Sequence, residues 1–166
     1  MSYTLEQFAT RCHDMLKAHP GRAGREQVCS LLQEVLQDAQ FVATYLGDDV
    51  PERKMLYEDP ELGFCILAHA YTGAKESPPH DHGPSWAIYG QGCGETEMTD
   101  WELVSPATEH TPGTVRRART YTLKPGMAYV YHEGQLHAPR REDATRLIRI
   151  EGTNIEKVRR LRYEAV

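Results

Sequence analysis

The chain begins with apolar positions spaced for a helix. Leu5, Phe8, Cys12, Met15 and Leu16 fall on one face at a period of 3.6 residues, starting from Thr4 with Glu6 and Gln7 close behind. Pro20 and Gly21 in "HPGRAG" break that pattern. A second stripe, Val28, Leu31, Leu32, Val35 and Leu36, predicts a helix running to about Asp38. A short third helix is expected through Tyr45, ended by "GDDVP".

Beyond Pro51 the texture changes to short segments rich in Val, Ile, Tyr and Thr, divided by Gly and Pro turns. Residues 53–57, 63–71, 85–91, 94–103, 114–122, 127–131 and 144–151 read as strands. "EDPELG", "YTGAKESPP", "GQGCG", "SPATEHTPG", "KPG" and "HEGQLHAPR" read as turns between or after them. No helical pattern lies between the strands, so βαβ crossovers have no room. The expectation is a mainly β sandwich or closed barrel, with the N-terminal α-helices packed outside it. A chain of 166 residues suits one domain with a real core. The expected division is a helical flank at 1–47, a β-barrel at 51–152 and a C-terminal extension at 153–166.

Charge narrows the partners. With 19 basic and 24 acidic side chains the net charge is -5, which gives no pull toward nucleic acid or an anionic membrane. The basic clusters, Arg116, Arg117 and Arg119, and Lys157 to Arg162, are expected to be solvated, the latter as the surface of a last helix or tail. Cys12, Cys29, Cys65 and Cys93 form no CxxC pair, which argues against a disulfide framework or a cysteine-rich zinc site. The N-terminus has no apolar signal core, and no run approaches the roughly 18–20 apolar residues of a membrane span. A soluble, cytoplasmic protein is expected.

Histidine carries the candidate chemistry. His80 and His82 in "SPPHDHGPSW" are one residue apart; on a strand they would point the same way and could share an ion. His137 in "YVYHEGQLHAP" is the best third ligand. "HEGQLH" is one residue too long for the HExxH zinc motif and lies beside Gly134 rather than on a helix. His132 and His110 read as turn and loop residues, and His13, His19 and His69 as structural. HxH alone is weak evidence, since a loop histidine is commonly a surface residue.

Two spaced patterns strengthen it. His80-Asp81-His82, four residues, Ala87, six residues, Gly94 resembles the first motif of the cupin superfamily, with Ala87 where glutamate usually stands. Gly126, five residues, His132, one residue, Gly134, two residues, His137 resembles the second, with His132 in place of proline. The resemblance implies a cupin double-stranded β-helix, a jelly-roll barrel, holding a metal at His80, His82 and His137. Loss of the carboxylate leaves three neutral imidazoles and the ion's full charge, a site suited to an anionic ligand and, with iron(II), to O2.

An all-histidine triad of this kind resembles the cysteine dioxygenase and thiol dioxygenase family, and the resemblance runs from about Arg53 to His137. It implies Fe(2+), with Ni, Mn or Zn as other occupants, O2 as co-substrate and a small acidic or thiol substrate. It implies Arg53 as partner of the substrate carboxylate, a task suited to a bidentate guanidinium. Ala87 excludes the Cys–Tyr cross-link of animal members. The family's Ser-His-Tyr relay has no match in "TRLIRIEGTN", where Arg149 and Glu151 stand instead. Tyr89, Tyr129 and Tyr131 are candidates for the missing hydroxyl, although core packing also accounts for Tyr129 and Tyr131. Trp86 and Tyr89 fall on opposite faces of their strand, so one of them lines the barrel and the substrate. Two other functions stay open: a cupin that binds metal or ligand without turnover, and one of other chemistry, such as an isomerase or a dioxygenase of carbon substrates. Many cupins pair through their sheets, so a homodimer is a further expectation.

Overall fold

The computed structural model describes residues 2–166. Three helices come first: α1 (Leu5–Ala18), α2 (Arg22–Val35) and α3 (Ala39–Tyr45). Thr4 caps α1 in a reciprocal box, accepting from Gln7 N at 3.1 Å while Gln7 accepts from Thr4 N at 3.1 Å. Asp38 does not extend α2, as the apolar stripe suggested. It caps α3 instead, accepting from Gln40 N at 3.0 Å.

Ten strands follow: β1 (Lys54–Glu58), β2 (Cys65–Tyr71), β3 (Lys75–Glu76), β4 (Ala87–Cys93), β5 (Thr96–Ser105), β6 (Gly113–Leu123), β7 (Ala128–Tyr131), β8 (Leu136–Arg141), β9 (Thr145–Glu151) and β10 (Tyr163–Ala165). They form two five-stranded sheets, ordered β1-β2-β9-β4-β7 and β10-β6-β5-β8-β3. From β2 onward each connection passes from one sheet to the other, except at the β5–β6 hairpin, which stays in the second sheet. That path makes the double-stranded β-helix expected from the sequence, with three helices on its outside.

The helices lie on the outer face of the first sheet. Phe8, Leu32 and Phe41 are fully buried there against Ile66 and Ala68 of β2, Ile88 of β4, and Ile148 and Ile150 of β9. Gly90 permits the close approach: a Cβ at that position would lie 2.6 Å from Leu32 Cδ2 and 2.9 Å from Leu36 Cδ1. The alternate positions of the same strands face into the barrel. They include Ala87, Tyr89 and Gln91 of β4 and Leu147, Arg149 and Glu151 of β9, paired as Ala87↔Glu151, Tyr89↔Arg149 and Gln91↔Leu147. The interior cluster is small: Ala87, Tyr89, Met98, Leu123 and Tyr131.

The sequence reading placed a turn where β8 lies. Gly134 and Pro139 prompted that reading, yet Pro139 sits in the ladder opposite Met98 and its carbonyl accepts from Ser77 N at 3.1 Å. Nor is the C-terminal extension a last helix or a loose tail. After one 3-10 turn at Ile155–Lys157 it runs extended, and β10 pairs parallel with β6 in the register Tyr163↔Gly113 and Ala165↔Val115. All four cysteines are unpaired, as expected. No helix among the described residues is long and apolar enough to cross a membrane.

Leu32 has no exposed surface and joins α2 to the sheet through Gly90. Leu32→Ala is expected to cost about 2–5 kcal/mol, since the cavity cannot close against a flat sheet. Urea denaturation of the variant against the parent measures it.

Candidate metal centre

His80, His82 and His137 converge at one end of the barrel, and their candidate ligand atoms all lie within 4.8 Å of one another. They are brought there by different means. His137 sits on β8, and His80 bridges to it through two backbone bonds, His80 N to His137 O at 3.0 Å and His137 N to His80 O at 2.9 Å. His82 lies beyond the bridge in a loop, where Gly83 turns the chain at φ +61°. The two HxH side chains therefore converge through a bridge and a turn, not through strand alternation. Gly94, Gly126 and Gly134, the motif glycines, all adopt positive φ (72°, 92° and 75°), which explains why glycine occupies them.

The hydrogen bonds show whether these rings suit a metal. His80 Nδ1 donates to the Pro78 carbonyl at 2.8 Å, and His137 Nδ1 donates to the Gln135 carbonyl at 2.9 Å. Each bond fixes the tautomer and leaves an Nε2 lone pair aimed at the centre. Burial holds the rings neutral: it pushes His80 down to about 4, and it pushes His82 and His137 well below the usual imidazole value. Neutral imidazoles are the form that binds a divalent ion. His82 differs. Its Nδ1 faces Arg149 Nη2 at 3.4 Å, a donor, so without an ion its proton sits on Nε2; for that nitrogen to ligate, the proton moves to Nδ1 and Arg149 turns aside. Two pre-set lone pairs and a third within reach fit a divalent metal.

Tyr89 completes the cluster. Its Oη is 3.3 Å from His82 Nε2 and 3.2 Å from His137 Nε2, and the two nitrogens are 3.1 Å apart. Ala87, where the carboxylate would stand, is fully buried in the interior cluster. Tyr131 also faces inward, but its ring stacks on His137 at 4.1 Å and its hydroxyl donates to Tyr121 Oη at 2.6 Å. Tyr121 in turn donates to Asp100 at 2.9 Å. Tyr129 packs on Tyr121 at 4.9 Å, farther along the barrel. Trp86 does not line the interior. It packs with the helix-side core and under the Arg25 guanidinium at 5.3 Å, so Tyr89 is the member of that pair facing the histidines. His132 likewise turns outward, to Arg25.

A cavity of about 800 Å³ opens beside His80 and Tyr89, with the C-terminal extension as one wall. Arg53 lines it, but its fork is already engaged. It donates to Glu151 at 3.1 and 3.2 Å and to Asn154 at 3.0 Å, and its Nε pairs with Glu156 at 3.2 Å. Arg149 Nε approaches the same Glu151 at 3.0 Å. The sequence reading missed Arg141. This side chain is 5% exposed and lines the cavity, and its Nε donates to Thr96 Oγ1 at 3.2 Å. It lies over the Tyr71 ring at 4.5 Å and has no carboxylate partner among the described residues. Recognising β8 as a strand would have found it, since His137, Pro139 and Arg141 then share a face. His69 also lines the cavity, with its buried Nε2 unpartnered.

No family model matches the chain, and no curated protein sequence matches it significantly. Solved structures similar to it include cupin-domain proteins. The cupin domain of Cnp3 from Schizosaccharomyces pombe is 13% identical over 63% of this chain and 66% of that one, with a TM-score of 0.45. The chain thus spans just under two thirds of that domain's length. A cupin-2 domain protein from Shewanella frigidimarina is 14% identical over 71% and 96% of the two chains, with a TM-score of 0.45. KdgF from Halomonas sp. is 17% identical over 64% and 82%, with a TM-score of 0.45. The barrel and the histidine cluster stand on this chain's own strand order and distances.

His82→Ala and His137→Ala each remove a converging lone pair. Metal content by elemental analysis is expected to fall from about one ion per chain to a small fraction, with the circular dichroism spectrum unchanged. A variant that keeps one ion per chain would refute the triad.

Proposed function

We propose that the protein is a mononuclear iron oxygenase similar to the thiol dioxygenases, acting on a small anionic substrate. The observation that carries the reading is the set of Nε2 atoms of His80, His82 and His137 beside a cavity, two of them pre-set by carbonyls on Nδ1. Iron(II) held there supplies a site where O2 and a thiolate can meet. The chain's own residues do the rest. The barrel wall excludes water behind Tyr89, while the cavity beside His80 admits the substrate.

Arg141 supports the anionic class. A buried guanidinium stays protonated and costs several kcal/mol to desolvate without a partner. Arg53 and Arg149 share Glu151, whereas Arg141 has no such offset, so it is the buried guanidinium to which a substrate carboxylate would bind. That shifts the substrate-binding role from Arg53, whose fork Glu151 occupies, to Arg141. A second reading, binding without turnover, is favoured by β9, whose inward residues Arg149 and Glu151 stand where the thiol dioxygenase relay would be. A homodimer, suggested by the cupin resemblance, remains a proposal for sedimentation analysis.

The iron-loaded protein is expected to consume O2 with cysteine or 3-mercaptopropionate, and His82→Ala is expected to abolish uptake. No uptake with the site fully loaded would overturn the thiol assignment and leave the binding reading. The anion site is checked on metal-free protein by thermal denaturation. Acetate or succinate is expected to raise the melting temperature of the parent by about 2–4 °C, equivalent to about 1 kcal/mol. Arg141→Met is expected to be at least as stable without anion and to show no anion response.

A further inference from the structure

Tyr89 occupies the space that the missing carboxylate leaves. Two donors ~2.1 Å from one ion are about 3.0 Å apart at a right angle and about 3.4 Å apart at the tetrahedral angle. His82 Nε2, His137 Nε2 and Tyr89 Oη are separated by 3.1, 3.2 and 3.3 Å, a triangle of that size. We infer that Tyr89 is a fourth protein ligand, bound through its phenolate oxygen, and that the centre is three histidines and one tyrosinate. This rests on the metal-site reading above and goes beyond it.

Three further observations bear on the inference. Ala87 and Tyr89 are two residues apart on β4 and face the same way, so a longer side chain from the next inward position reaches where a carboxylate at 87 would have reached. Tyr89 is 3% exposed, and among the described residues its hydroxyl has no hydrogen-bond partner except the two histidine nitrogens. A buried phenol whose partners are all candidate ligands belongs to the centre rather than to the packing around it. The third is charge. The Arg149 guanidinium lies 4.8 Å from the ring centroid, and Arg141 adds a second cation to the same cavity. A tyrosinate removes one unit of the surplus that these cations and a divalent ion create, as the absent glutamate would have done.

The binding step is a proton exchange. The Tyr89 O–H bond breaks, the oxygen–metal bond forms and its proton leaves to solvent, while the His82 proton shifts from Nε2 to Nδ1, with no change of oxidation state.

Iron(III) reports the ligand directly, because phenolate-to-iron(III) charge transfer absorbs visible light and histidine nitrogen does not. The full chain would be stripped, loaded with iron(II) without air, assayed for iron and oxidised by one electron. The expected result is a visible band in the parent, in Tyr129→Phe and in Tyr131→Phe, and loss of that band in Tyr89→Phe with iron still bound. Resonance Raman on parent protein carrying ring-deuterated tyrosine gives the same answer without a variant: tyrosinate modes should be enhanced and shifted. Iron-loaded parent without the band, or Tyr89→Phe with it, overturns the inference. Parent that takes up no iron overturns the metal-site reading itself, and the iron assay registers that outcome before any spectrum is taken.

Discussion

Everything at the site depends on the sealing of one face of the first sheet by the helices. Phe8, Leu32, Phe41 and their neighbours cover Ile66, Ile88, Ile148 and Ile150, and each large side chain buried there contributes ~1.5–3 kcal/mol. Because hydrophobic stabilisation is gathered outside the barrel, the inside need not be apolar. The opposite face of the same strands can carry Tyr89, Arg149 and Glu151, which would be costly in a barrel that served as the protein's main core. The interior apolar cluster is correspondingly small.

Arg53 and Arg149 are arranged around one buried carboxylate. Glu151 has no exposed surface and engages Arg53 twice, Arg149 once and the backbone N of Ile155 at 3.0 Å. Removing one partner of such a group is expensive, about 3–5 kcal/mol, because the other charges stay buried. Glu151 thus joins β1, β9 and the first turn of the C-terminal extension. It also sets the balance of the cavity: Arg53, Arg141, Arg149, Arg160 and Arg162 line it against Glu156 and Glu164, with Glu151 behind them, so that wall is positive within a chain whose net charge is negative.

Much of this was legible in the sequence, and what escaped it did so for physical reasons. The helical stripes were plain because helix packing imposes a 3.6 period, and the three histidines stood out because the motif glycines reserve positive φ at fixed distances from them. β8 was missed because its proline, histidine and arginines suit a turn by propensity, whereas the neighbouring strands decide the matter. With β8 went Arg141. Trp86 and Tyr89 could not be ranked before the turn at Gly83 set their register. The engagement of Arg53 was invisible for another reason: its partner Glu151 lies 98 positions along the chain, and no local pattern couples them.

The C-terminal extension has a different kind of consequence. It supplies Ile155, Arg160, Arg162 and Tyr163 to the cavity, and beyond its first turn it is held by a three-residue parallel pairing and few side-chain bonds. The three candidate ligands belong to the barrel and its bridging loop, so the chamber's wall and the histidine cluster are built from separable parts of the polypeptide. Selection, or an engineer, can therefore resize that wall and redraw its charge by editing about a dozen terminal residues, leaving the three histidines where they stand.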